Sequence, residues 1–183
     1  MASVYDVAKY FVNINSDTDG DVSNMNLQKL LYYAQGRHLA KTGHSLFNEN
    51  IEPWQHGPVV REIYHKYKAN ESNPIPPEED FNYDAFTIEE LTTLVNVEKD
   101  YGKYSALTLR NKSHAENSPW AVANEKNSNI IPTESIKEYF SENEKETSLS
   151  EQLELNGVKP ISGIRNKDGV LILPKEEYDP EDD

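Results

Sequence analysis

Leu27, Leu30, Leu31, Ala34 and His38 follow one another at i, i+3, i+4, i+7 and i+11. That period lays a continuous stripe along an α-helix, and it cannot fit a strand, whose side chains alternate faces every two residues. A helix is therefore expected to begin near Asn26 and to stop at Gly43. The same grammar recurs along the chain. Ser3 and Asp6 resemble a capping box ahead of Val4, Val7, Ala8, Phe11, Val12 and Ile14. Thr87 and Glu90 form another ahead of Leu91, Leu94 and Val95. Ser105 opens a short helix with Ala106 and Leu109, Ser118-Pro119 opens one that contains Trp120, and Pro132-Thr133 opens one carrying Ile136, Tyr139 and Phe140. Pro58 stands where a helix favours its first residue, with Val59, Ile63, Tyr64 and Tyr67 as the apolar face behind it. Leu46 to Trp54 reads as extended or irregular, and Pro74, Pro76 and Pro77 mark 70–84 as a loop. The expected fold is all-α, mainly helical with about seven helices.

After Ser141 the composition changes. Residues 142–183 hold 12 acidic and 5 basic residues, against 32 and 18 in the whole chain of 183. We expect a helical domain over 1–141 and an acidic, partly disordered extension over 142–183. Within the extension, Ile161 to Arg165 and Val170 to Leu173 flank Asn166-Lys167-Asp168-Gly169, which predicts a small β-hairpin over 161–173 near the C-terminus. The net charge of −14 disfavours nucleic acid and anionic membranes, so no DNA or membrane binding is expected. With no cysteine there is no disulfide, thiolate zinc site, iron–sulfur cluster or Cys nucleophile. The N-terminus lacks the basic and apolar regions of a secretory signal, and no stretch approaches the roughly 20 apolar residues of a membrane helix. A cytoplasmic protein without cofactors is expected.

Three places invite a chemical reading. Asn15, Asp17, Asp19 and Gly20 fit positions 1, 3, 5 and 6 of a calcium loop, but Asn26 stands at position 12, where the chemistry needs a bidentate Glu. The reading adopted is a solvated loop without metal. Trp54-Gln55-His56-Gly57-Pro58-Val59 is the densest cluster of special residues. It is expected to be a packed turn anchored by Trp54, the alternative being a contact or catalytic His56. His38 lies on an apolar face and reads as a core or edge residue, while His114 precedes Glu116 and Trp120 in a polar loop. No histidine pair has zinc spacing, and neither a phosphate loop nor a nucleophile elbow is present. Tyr32, Tyr33, Tyr64, Tyr67, Tyr101 and Tyr104 suit either the rim of a small core or a protein interface.

The order of these blocks resembles the Panacea antitoxin domain, also called SocA-like or GepA-like, common in prophages and mobile elements. Val7-Ala8-Lys9-Tyr10-Phe11 is similar to its opening helix, and Met25-Asn26-Leu27-Gln28-Lys29-Leu30-Leu31-Tyr32-Tyr33-Ala34-Gln35-Gly36 to its most distinctive stretch. Gly43, Leu46-Phe47, Ile51 to Val60, Tyr101 to Ala106 and Ser113 to Trp120 continue the series. The likeness spans about residues 4–140. Pro53 stands where a small residue is usual, and Ser113 where Thr is commoner.

The resemblance implies a mostly helical, non-enzymatic domain that neutralises a toxin, encoded next door, by direct protein binding. Some members deliver the toxin to a AAA+ protease, and others carry a separate DNA-binding domain, for which this chain has no room. It also implies that Leu27, Gln28, Lys29, Leu30, Tyr32, Tyr33, Trp54, His56, Gly57, Pro58, Val59, His114 and Trp120 are motif residues, structural or partner-binding. Two rival readings remain: a phage-encoded inhibitor of a host defence or nucleic-acid-binding protein acting through the acidic surface, and a hydrolase centred on His56 or His114.

Overall fold

The computed structural model describes residues 1–16 and 22–143, together with two short strands near the C-terminus, and divides into units 1–144 and 145–183. Among its described residues the first unit contains seven α-helices: α1 (Val4–Ser16), α2 (Asn24–Thr42), α3 (Arg61–Tyr67), α4 (Ile88–Tyr101), α5 (Ala106–Ser113), α6 (Pro119–Glu125) and α7 (Thr133–Asn143). Between α2 and α3 lie β1 (Ile51–Trp54) and β2 (Gly57–Val60). Among the described residues no helix is long and apolar enough to cross a membrane.

The caps form largely as the sequence implies. Thr87 and Glu90 make a reciprocal capping box at α4. Ser105 and Ser118 cap α5 and α6, the latter with Pro119 in its first turn. α2 starts two residues before Asn26, because Ser23 accepts the N–H of Asn26. It ends at Gly43, whose φ of 76° suits glycine and whose N–H reaches the Leu39 carbonyl.

α2 is the axis of the domain. α1, α3, α4, α5, α7 and β2 all pack on it. It is buried on almost every side, including at Asn24, Gln28, Lys29, Gln35 and His38. A helix surrounded by protein is normally apolar all round. This one carries polar side chains because its neighbours include irregular backbone that needs hydrogen-bond partners. Gln35 Oε1 accepts the N–H groups of Leu46 (2.8 Å) and Phe47 (3.3 Å), and its amide donates to the Phe47 carbonyl. His38 Nδ1 lies 3.0 Å from Thr93 Oγ1 on α4, a buried histidine as expected.

The all-α expectation is corrected to mainly helical with a small antiparallel hairpin at 51–60, in the helical body, where the sequence reading placed none. Its register pairs Ile51 with Val60, Glu52 with Val59, Pro53 with Pro58 and Trp54 with Gly57. Pro58 is accordingly a strand residue, and the helix it was expected to open begins at Arg61. Two prolines in one ribbon argue against a strand on local grounds. They are tolerated because they face each other at a position whose N–H groups would point away from the partner strand.

In the C-terminal unit, Ile164–Arg165 (β3) and Leu171–Ile172 (β4) pair antiparallel. The rest of the hairpin expected over 161–173, the disorder expected of the extension and its acidic end all lie outside the described residues.

α7 closes the body against α2. The Phe140 ring packs edge-on against Tyr32 and Tyr33, centroids 5.4 and 5.9 Å away. A Cβ added at Gly36 would run into that ring. Gly36→Ala should therefore destabilise the protein by about 1–3 kcal/mol through overpacking, although alanine is the better helix former. Thermal unfolding followed by circular dichroism checks this, and an unchanged or raised Tm would contradict it.

Candidate functional site

The site is the tip of the hairpin and the cavity beside it. Gln55 and His56 form the two-residue turn, both exposed. Neither has a positive φ, and the left-handed excursion falls on Gly57 at 105°. Glycine is also required there by packing, since a Cβ would meet Lys29 Cε and Nζ at 2.8 Å and Ser113 Oγ at 3.1 Å.

Side chains of α2 complete the outer edge of β2. Lys29 Nζ donates to the Pro58 carbonyl (2.9 Å), and Gln28 Oε1 accepts the Val60 N–H (2.8 Å). Pro58 has no N–H, so its carbonyl is all that Lys29 has to satisfy. The Gln28 amide donates to Asn24 Oδ1, and the Asn24 amide donates to the Tyr64 carbonyl, which ties α3 into the same chain of bonds. On the other strand, the Ile51 carbonyl accepts the Ile131 N–H at 2.7 Å. At the tip, Trp120 Nε1 donates to the Trp54 carbonyl at 2.8 Å.

Trp54 is half-buried rather than the core anchor expected of it. Its Nε1 donates to Glu52 Oε2 (2.7 Å), its ring meets Tyr64 edge-on at 4.8 Å, and Arg61 forks onto both Glu52 oxygens (2.8 and 2.7 Å). The Arg61 hydrogen bond holds the Glu52 carboxyl below its usual range. Trp54, Tyr64, Met25, Gln28, Lys29 and His56 are among the residues around a cavity of about 360 Å³.

Behind the tip the charges share one sign. Lys29 is 1% exposed, and burial followed by the charge of Arg110 lowers its pKa to about 7. His114 caps the end of α5 and stacks on Trp120, ring centres 3.5 Å apart and planes 12° apart. Burial, then Arg110, Lys29 and His56, lower its pKa to about 4. His114 Nε2 and Arg110 Nε are buried without a hydrogen-bond partner. Among the described residues no carboxylate is recorded against either perturbed base.

The remaining motif residues serve packing. Leu27, Leu30, Tyr32, Tyr33 and Val59 are buried, and Tyr33 stacks on Tyr101 with centroids 4.1 Å apart. Of the calcium-loop residues, Asn26 is occupied elsewhere: its Oδ1 accepts from Ser23 Oγ, and its amide donates to the Tyr104 carbonyl. Asp17, Asp19 and Gly20 lie outside the described residues. Sequence reasoning missed Arg110. Its only local signal is the i, i+4 spacing to His114, which sets two bases on one face of α5.

All thirteen motif residues fall within 27–121, the span that matches the family model described as "Antitoxin SocA-like, Panacea domain". The chain belongs to this family. Among curated proteins, Antitoxin SocA of Caulobacter vibrioides (strain NA1000 / CB15N) is 41% identical over 64 residues, which is 35% of this chain and 34% of that protein. The chain thus matches only about a third of that relative's length. No solved structure gives a significant match. For this SocA-like chain the geometry explains the motif's polar letters. Gln28 and Lys29 hold the hairpin, Gly57 makes room for Lys29, and Trp120 grips the tip.

The titration of Lys29 carries a stability consequence. In the unfolded chain a lysine binds its proton up to about pH 10.4, whereas folded Lys29 releases it near 7. Between these values the unfolded state holds more protons, so stability must rise with pH. The unfolding free energy should increase from pH 7 to pH 9.5, and Lys29→Met should flatten that slope. Urea titrations at a series of pH values measure both slopes, and equal slopes would remove the buried base from the account.

Proposed function

We propose that this chain is a non-enzymatic antitoxin that neutralises a cognate toxin, encoded beside it, by direct protein–protein binding through the hairpin tip. Family membership supports the antitoxin role. The observation that carries the binding face is the contrast between the tip and its foundations. Trp54, Gln55 and His56 are exposed or half-exposed, yet the backbone on which they stand is fixed by Lys29, Gln28, Trp120 and Ile131. A rigid loop loses little conformational entropy on binding. The aromatic and arginine side chains beside it, Trp54 at the end of β1 with Tyr64 and Arg61 on α3, are the types that dominate binding energy at interfaces. The surplus of acidic residues, 32 against 18 basic, suits a basic partner and speeds encounter with it.

Co-expression with the adjacent gene tests the reading: the chain should rescue growth and co-elute with that gene product. His56→Ala locates the face. His56 is exposed, so its loss should move Tm by less than about 2 °C. Rescue should nonetheless fall sharply. Full rescue by His56→Ala and by Trp54→Ala alike would remove the tip from the interface.

A further inference from the structure

Lys29 is a buried cation without a counter-ion. A lysine ammonium has three donors, and here one is used, on the Pro58 carbonyl. Buried charges are ordinarily paired, because removal from water costs several kcal/mol per ion. Even more exposed bases of this chain are paired: Arg37 with Asp100, Arg61 with Glu52, and Lys9 and Lys66 with Glu78. Among the described residues no ion pair to Lys29 is present, and the charged group that acts on it is Arg110, of like sign. The unpartnered Arg110 Nε and His114 Nε2 lie in the same region of positive charge. Such a vacancy stands out in a chain with 32 acidic residues.

The cavity beside the tip leads to this charge. Of its buried polar lining, Asn24 and Gln28 are committed to each other, to Tyr64 and to Val60, which leaves Lys29, while Gln55 and His56 stand at the exposed rim. Lys68 and Glu71 also line it and offset each other in formal charge. Trp54, Tyr64 and Met25 supply apolar wall. At about 360 Å³ the space admits a side chain and part of the segment that bears it.

Building on the antitoxin reading, we propose that this cavity is a carboxylate acceptor, into which the partner protein inserts an acidic side chain past the wall formed by Trp54 and Tyr64 to pair with Lys29. A polyanion such as nucleic acid is disfavoured by the net charge of −14, whereas a single carboxylate on a basic protein surface meets both the acidic exterior and the cationic floor. Pairing favours the charged lysine, so binding takes up a proton. Free Lys29 is half-protonated near pH 7, and the partner raises its pKa. Affinity is therefore highest below pH 7 and falls as pH rises above it. The groups facing Lys29 are Arg110, His114 and His56, with Lys68 and Glu71 farther along the cavity wall. His114, at about 4, is already neutral in this range. Measurements in His56→Gln beside the wild type remove the other histidine.

The test uses the full chain with phenylacetate as probe and phenylacetamide as its neutral counterpart. Lys29 is followed by side-chain NMR, with Lys29→Met giving the assignment, and binding by tryptophan fluorescence. Phenylacetate should bind saturably, more tightly than the amide, and raise the Lys29 midpoint by about one pH unit, which corresponds to about tenfold tighter binding to the protonated lysine than to the neutral one. Lys29→Met should bind both probes alike. Equal binding of the two probes to the wild type, or a Lys29 midpoint that neither probe moves, overturns the proposal even if Lys29→Met fails to fold. Neutralisation assays separate the two readings. A wild type that rescues cells while phenylacetate leaves Lys29 unmoved loses the carboxylate acceptor and keeps the antitoxin. A wild type that binds phenylacetate but not the adjacent gene product loses the protein as the source of the carboxylate.

Discussion

A two-stranded ribbon has two unpaired edges, and this fold depends on how helix α2 treats one of them. Lys29 and Gln28 act on β2 as a neighbouring strand would, one donating to a carbonyl and the other accepting an N–H. A lone hairpin of four-residue strands is marginal in water. Here the body supplies the missing partners from a helix already buried for other reasons. Gln35 does the same for the turn at Leu46 and Phe47. The polar side chains inside the domain are therefore connections between regular and irregular backbone, placed where a purely apolar α2 would leave buried amides unsatisfied.

How much of this is legible in the sequence depends on whether the cause is local. The stripe from Leu27 to His38, the capping box at Thr87 and Glu90, the stop at Gly43 and the start at Ser118 are written within a turn or two of the residues they govern. Gln28, Lys29 and Gln35 lie off that stripe, and nothing local marks them as buried. Only the chain returning at 46–60 makes them interior. Gly57-Pro58 is ambiguous in the same way, since the dipeptide suits a helix start as well as a strand, and the decision rests with Lys29, 29 residues away from Pro58. Trp54 reads as a core anchor by size alone, yet its neighbours Glu52, Arg61 and Tyr64 make it a rim residue.

Electrostatically the molecule is inverted. Its exterior is strongly acidic, while the groups beneath the hairpin tip are basic and lack acids. Burial keeps Lys29 and His114 from holding their protons as they would in water. The amine that fixes Pro58 is thus also one left without a counter-ion among the described residues, so the bond that holds the hairpin and the unbalanced charge beneath it belong to the same side chain.

The facing prolines have an effect beyond local geometry. With Pro53 opposite Pro58, neither strand has an amide hydrogen at that position to offer outward. The Val60 amide and the Ile51 carbonyl are already taken by Gln28 and Ile131. An incoming extended peptide would find no ladder to join, so the ribbon is closed to recognition by strand addition and to edge-to-edge aggregation. What the hairpin leaves accessible is its end, the side chains of the turn at Gln55 and His56.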